Sequence, residues 1–122
     1  VSKAQWIAAN LKPGEEYAGL VLGKDGAPDH HLILLPGEAA EVTWQQAKDW
    51  SLKAGGELPT RREQSLLFAN RGEDFKPSWY WSSESYRDDG WAWCQSFSTG
   101  FQGHGRKRHQ LRARAVRRLI LE

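Results

Sequence analysis

The sequence predicts an α+β fold in which two short helices pack on a twisted antiparallel sheet and long C-terminal loops form one exposed face. Three observations predict it. Two consecutive segments between residues 43 and 72 carry helix-capping signatures, aromatic or alternating runs flank them on both sides, and Gly-bearing connections fill the last third of the chain.

YAGLVL, Tyr17 to Leu22, reads as a strand, GKDGAPDH as a turn, and HLILL, His31 to Leu35, as a second strand. An N-terminal hairpin over 17–35 is therefore expected, stopped by Pro36 and Gly37, with a loop leading to Thr43. There Thr43 and Gln46 stand at the spacing of a capping box. Trp44, Ala47, Trp50 and Ala54 share one helical face, and Gly55-Gly56 supplies a left-handed stop. Leu58-Pro59-Thr60 turns a corner into a second helix with Thr60 and Glu63 as its capping pair. Leu66, Leu67 and Phe68 form its buried side, and it ends near Asn70-Arg71-Gly72. Beyond Gly72 the helical period disappears. SWYWSS, WAWCQSF and RARAVRRLIL read as three strands, with ESYRDDG and STGFQGHGRKRH as turn-like connections.

At 122 residues the chain is sized for one domain, 1–122, able to bury about two-thirds of its unfolded surface. Apolar residues are only 39% of it, but seven Trp, four Phe and three Tyr supply large bodies for a small core. Trp79, Trp81, Trp93 and Phe97 are expected to stack as core layers. Cys94 is the one cysteine, so packing rather than an internal disulfide must hold the fold, as suits a reducing compartment. No apolar run is long enough for a membrane span, and VSKAQWIAANLKPGEE lacks the apolar block of a secretory signal, so a soluble chain is expected. The net charge of +2 is small but unevenly placed. Arg106, Lys107, Arg108, Arg112, Arg114, Arg117 and Arg118 follow one another with no acid among them.

The ordered motifs carry a resemblance. W-x-x-A at Trp44 and Ala47 is followed by G-x-x-L-P-T at Gly55 to Thr60 with Glu63. Then come Y-W-S-S at Tyr80 to Ser83, A-W at Ala92-Trp93, Phe97, and R-A-V-R at Arg114 to Arg117. Over roughly residues 40 to 118 this resembles the Lcl C-terminal-like domains of bacteria and phages. That family looks like a branch of the C-type-lectin-like superfamily, which also holds formylglycine-generating enzymes and the variable proteins of diversity-generating retroelements. The resemblance implies a C-type-lectin-like fold and, in the variable proteins, ligand-binding residues on the C-terminal strands and loops.

The best binding constellation sets Tyr86, Arg87 and Asp89 on one connection beside Ser96, Ser98, Thr99, Phe101 and His104 on the next strand and loop. Arg106, Arg108 and His109 extend it. Tyr and Arg give contact area and several donors per ordered side chain, while Ser and Gly adapt, which is the chemistry of a paratope. Along the strand, Trp93 and Phe97 are expected to face the core, and Cys94, Ser96 and Ser98 to face away. In the basic run, Arg112 and Arg114 form the polar side of an amphipathic strand and Ala113 and Ala115 its buried side.

Other chemistries are weaker. Glu84, Asp88 and Asp89 are close enough to suggest calcium, but the E-P-N and W-N-D patterns of sugar-binding C-type lectins are absent, so no metal and no other cofactor is expected. His30 and His31 belong to a turn and strand without a matching acid or second histidine, so no site is expected there. Formylglycine-generating chemistry needs reactive cysteines, and Cys94 stands alone, so no enzymatic activity is expected and an enzyme remnant remains an alternative. Binding of nucleic acid or another anionic polymer through the basic segment is a further alternative, against which the net charge of +2 argues. The reading as a whole is a binding module for a macromolecular or glycan ligand on a host cell surface, in the manner of a phage or prophage variable protein.

Overall fold

The computed structural model describes residues 1–87 and 89–121. Its first element is a helix that the apolar pattern does not announce, α1 (Lys3–Asn10), opened by a reciprocal Ser2–Gln5 capping box. None of its residues is fully buried. It is docked through Trp6, whose ring lies 4.4 Å from His31 and 5.2 Å from Tyr17. The expected hairpin follows as β1 (Glu16–Val21) and β2 (His30–Leu34), antiparallel, with a bulge between Tyr17 and Gly19.

The stretch expected as a loop before Thr43 contains a short strand, β3 (Ala39–Val42), kinked by the positive φ of Glu41. Helix α2 (Trp44–Lys53) then opens on the Thr43–Gln46 box. It closes as a Schellman motif: Gly55, at φ +93°, donates to the Leu52 carbonyl and Gly56 donates to the Ser51 carbonyl. Its buried face is Trp44, Ala47 and Ser51, with Trp50 packed alongside. Ala54 is exposed, because it already belongs to the turn. Helix α3 (Arg61–Arg71) opens on the Thr60–Glu63 box and buries Glu63, Gln64 and Leu67. Leu66 and Phe68 are only partly buried.

Five further strands complete the chain: β4 (Trp79–Ser85), β5 (Trp91–Ser96), β6 (Gln102–Arg106), β7 (Leu111–Ala113) and β8 (Val116–Ile120). Two expectations are corrected here. The connection STGFQGHGRKRH is not all turn, because β6 pairs with β5 along its length. The final strand is two strands, because the chain changes sheets at Arg114-Ala115. β7 pairs with β3 and β4 in a five-stranded sheet ordered β3-β7-β4-β5-β6, and β8 pairs with β2 in a three-stranded sheet ordered β1-β2-β8. Among the described residues the architecture is thus α+β, with three α-helices and two sheets that are antiparallel apart from the β4–β7 pair.

Neighbouring residues of β4 face opposite ways and serve two cores. Tyr80 joins Leu32, Leu34, Leu67, Phe75 and Phe97 on the side of α3 and the small sheet. Trp81 joins Trp44, Ala47, Leu58, Ala92, Cys94 and Ala113 on the side of α2. Ala113 and Ala115 are buried as expected, while the arginines between and beyond them are tied down. Arg112 meets Glu38, which also accepts from the Tyr80 hydroxyl. Arg114 donates to the carbonyls of Leu35 and Asp74, and Arg117 grips Glu15.

A fully buried tie is at Glu63, only 1% exposed. Arg118 donates to both of its carboxylate oxygens at 2.7 and 2.8 Å, the Thr60 amide donates at 2.8 Å, and His30 Nε2 lies 2.7 Å away. His30 therefore does have an acidic partner, supplied by a helix 33 residues away in sequence. Burial alone would raise the Glu63 pKa, but the Arg118 and Thr60 hydrogen bonds and the charge of Arg118 outweigh it and hold the carboxyl below its ordinary value.

Because the folded-state pKa of Glu63 is depressed, its contribution to stability is complete above the ordinary carboxylate value of 4.5 and is lost as pH falls through the lower folded value. Glu63→Gln is expected to cost about 3–5 kcal/mol at neutral pH, the scale for breaking a buried pair. It should also flatten the acid limb of a plot of denaturant midpoint against pH; an acid limb parallel to that of the parent chain would refute the assignment.

Candidate ligand-binding site

Strand β5 lies between β4 and β6, and its side chains sort by the space beneath them. Trp81 already fills the core on the α2 side, so the β5 residues on that side are small: Ala92 and Cys94 are buried there. Trp91 and Trp93 project to the opposite face, where neither is fully buried. The expected orientation is thus reversed for Trp93, Cys94 and Ser96, while Phe97 faces the core and Ser98 the solvent as expected. Cys94 and Ser96 are the inward residues, Trp93 belongs to the surface layer, and of the expected aromatic core layers only Trp81 and Phe97 are buried.

On the face bearing Trp91 and Trp93, β6 contributes His104 opposite Trp93 and Arg106 opposite Trp91. Tyr86 folds back from the β4–β5 connection and stacks on His104, with centroids 4.1 Å apart and planes 17° apart. Guanidinium groups lie over these rings: Arg61 at 3.5 Å from Trp93, Arg106 at 4.5 Å from Trp91, and Arg87 at 5.4 Å from Tyr86. Arg61 is fixed from the α3 terminus. Its amide donates to Glu84 and its Nε donates to Gln102. A bulge in β4 between Trp81 and Ser85 sets Glu84 there, the bulge itself being held by Ser82 Oγ on the Trp93 carbonyl and by the Trp44 indole on the Ser82 carbonyl.

On the other face, Gly103 and Gly105 present bare backbone. A cleft of about 550 Å³ opens over them, walled by Trp79, Phe101, Leu111 and His109. Trp79 and Phe101 meet edge to face at 6.3 Å and are 37% and 66% exposed. Both are apolar surfaces that the core does not use. Cys94 lies at the cleft floor, and burial pushes its thiol up to about 11.

The structure divides the sequence-derived site residues. Tyr86, Arg87, His104 and Arg106 come together in the aromatic and cationic layer. Phe101 and His109 stand at the cleft. Ser98 and Thr99 are exposed on the β5–β6 turn, where Thr99 Oγ1 accepts from the Phe101 amide, and Asp89 and Arg108 are exposed in turns. Ser96 is buried and its hydroxyl accepts from the Ser98 amide, so it shapes the turn. Asp88 lies outside the described residues. Among the described residues no three His, Cys, Asp or Glu side chains are placed to hold a metal ion. Among the described residues no helix is long and apolar enough to cross a membrane.

Arg61, Trp79, Gly103, Gly105 and Leu111 belong to these surfaces although sequence reasoning did not select them. The one local signal was Q-G-H-G-R, two glycines at strand spacing, which leaves one face of a strand without side chains. No protein-family model matches the sequence, and no curated protein matches it.

Burial and a raised pKa together keep the Cys94 thiol protonated and shielded at neutral pH. Alkylation by iodoacetamide at pH 7.5 is expected to be at least about 100-fold slower than for the unfolded chain, read by intact mass; equal rates would place the thiol at the surface.

Proposed function

We propose that this chain is a binding module of the C-type-lectin-like class, similar to the Lcl C-terminal-like domains, that recognises a macromolecular or glycan ligand through the outer end of β4, β5 and β6. The observation that carries the reading is a partition within the C-terminal third. The motif residues Tyr80, Trp81, Ala92, Phe97 and Ala115 are buried, whereas Tyr86, Arg87, Phe101, His104 and Arg106 remain at the surface on a rigid sheet and its connections. Apart from the motif residue Trp93, which lies in the surface layer, these scaffold positions and the ligand-choosing positions are different residues, as a surface of changeable specificity on a constant fold requires.

The resemblance to retroelement variable proteins supports placing diversity in the same region. Phage or prophage display toward a host cell surface is the setting in which such diversity is useful. A nearby reverse transcriptase gene and an imperfect template copy of the segment encoding residues 84–118 would establish diversification.

Arrays of glycans and of host surface proteins test the binding role. A variant with alanine at Tyr86, Phe101, His104 and Arg106 together is expected to lose binding to whichever array member the parent chain captures. Its thermal midpoint should stay within about 4 °C, because these side chains are surface groups. A silent array, or binding unchanged in the variant, would sink the proposal.

A further inference from the structure

Strand β6 is the edge of the five-stranded sheet, and its free side has a defined pattern. The Ser96 amide donates to the Phe101 carbonyl at one end of the β5–β6 ladder, and the Lys107 amide donates to the Gly90 carbonyl at the other. With the register Gln95–Gln102, Trp93–His104 and Trp91–Arg106, this phase turns the amides and carbonyls of Gly103 and Gly105 toward β5. Those of Gln102, His104 and Arg106 point away from the sheet. Backbone donors and acceptors therefore repeat along the free edge at about 7 Å, the two-residue spacing of a strand.

We infer that β6 is a docking edge for an extended, acidic segment of a partner protein, which adds to the sheet as a sixth strand. The inference rests on reading this end of the sheet as the ligand face and goes further by naming the class of ligand and the way it binds. A second peptide backbone carries both donors and acceptors repeating at the period of this edge, which is the pairing that strand addition uses. The two sides of the edge then fix the side chains. On one side the glycine stripe and the cleft beside Trp79 and Phe101 offer room for an apolar side chain. A Cβ placed on Gly103 would lie 3.5 Å from both rings, so the space is lined without being filled.

On the other side stand His104 and Arg106, with Arg108 exposed in the turn that follows. From Gly90 to Leu121 the chain contains no Asp or Glu. Among the described residues, Arg61, Arg87, Arg106, Lys107 and Arg108 have no carboxylate within salt-bridge distance, while Arg112 and Arg117 each have one and Arg118 has two. An added strand that alternates carboxylates with apolar side chains complements both sides at once, because alternate residues of a strand face opposite ways.

The probe is a nine-residue peptide that alternates glutamate with valine around one phenylalanine, titrated calorimetrically against the full chain beside a counterpart with lysine for every glutamate. The acidic peptide is expected to bind at least about tenfold more tightly than the lysine peptide. Two backbone-methylated versions of the acidic peptide carry the methyl on the glutamate nitrogens or on the apolar-residue nitrogens. One set blocks the amides facing β6 and is expected to lose at least about tenfold, while the other loses less than about threefold.

On the protein, Gly103→Val should weaken the acidic peptide by filling the cleft. His104→Pro should weaken it at least about tenfold beyond His104→Ala, because proline removes an outward amide and no ladder hydrogen bond. Thermal midpoints show that each variant is folded. Equal binding of the two charge types, equal loss from the two methylation sets, or no binding of the acidic peptide would overturn the inference. Capture of glycans or single-stranded nucleic acid that persists in that last case would overturn strand addition and leave the ligand face standing.

Discussion

The buried carboxylate of Glu63 is the constraint on which the rest of this fold depends. A lone carboxylate at that depth would be prohibitively unfavourable, so its four donors are a condition of the structure. One is local, the Thr60 amide, since Thr60 and Glu63 form the capping box that starts α3. The other three come from neighbouring strands of the small sheet, one from His30 on β2 and two from Arg118 on β8. The same group therefore starts a helix, fixes how that helix meets the small sheet, and holds the final strand, β8, in place. Arg118 also reaches Glu57 and the Leu58 carbonyl, which adds the corner between α2 and α3. Through α3 the constraint extends to the larger sheet, where Gln64 donates to the carbonyls of Tyr80 and Trp81, and Gln95 donates back to the Gln64 carbonyl.

That anchoring gives the basic C-terminal run two purposes. Residues 106 to 118 look uniform in sequence, but their surroundings differ. Arg112, Arg117 and Arg118 are stapled to Glu38, Glu15 and Glu63, and Arg114 caps backbone carbonyls across the switch between sheets. Arg106 lies over Trp91 and Lys107 over Trp44, and among the described residues neither has a carboxylate within salt-bridge distance. A cation stacked on a ring is positioned without being neutralised, and an arginine so placed keeps its in-plane N–H groups for an incoming acceptor. The arginines held by carboxylates and carbonyls lie on β7, on β8 and on the link between them, whereas Arg106 and Lys107 lie at the end of β6 and in the turn after it.

The two central helices were legible because capping boxes and a glycine stop are local signals, and the structure uses each as the sequence implies. The N-terminal hairpin was legible for the same reason. Helix α1 was hidden because it buries no residue fully and so writes no apolar stripe, although its Ser2–Gln5 box was present. Strands β3 and β6 were hidden because one is short and kinked at Glu41 and the other is glycine-rich, so neither has the composition of a strand. The reversal of β5 is a volume effect. Sequence alternation showed two sets of residues, but only the position of Trp81 decides that the inward set must be Ala92 and Cys94, and that Trp91 and Trp93 must turn outward. The partners of the buried arginines were illegible because Glu15, Glu38 and Glu63 lie between 55 and 102 residues from them in sequence.

A double-mutant cycle between Glu63 and Arg118 tests this account most directly. Denaturant unfolding of Glu63→Gln, Arg118→Met and the double variant gives three stability changes at neutral pH. If the carboxylate organises the fold as described, the double variant should be less destabilised than the sum of the singles by about 2 kcal/mol or more, because each single change strands a buried charged partner. Additivity within about 0.5 kcal/mol would mean that the two groups act independently, and would contradict the account.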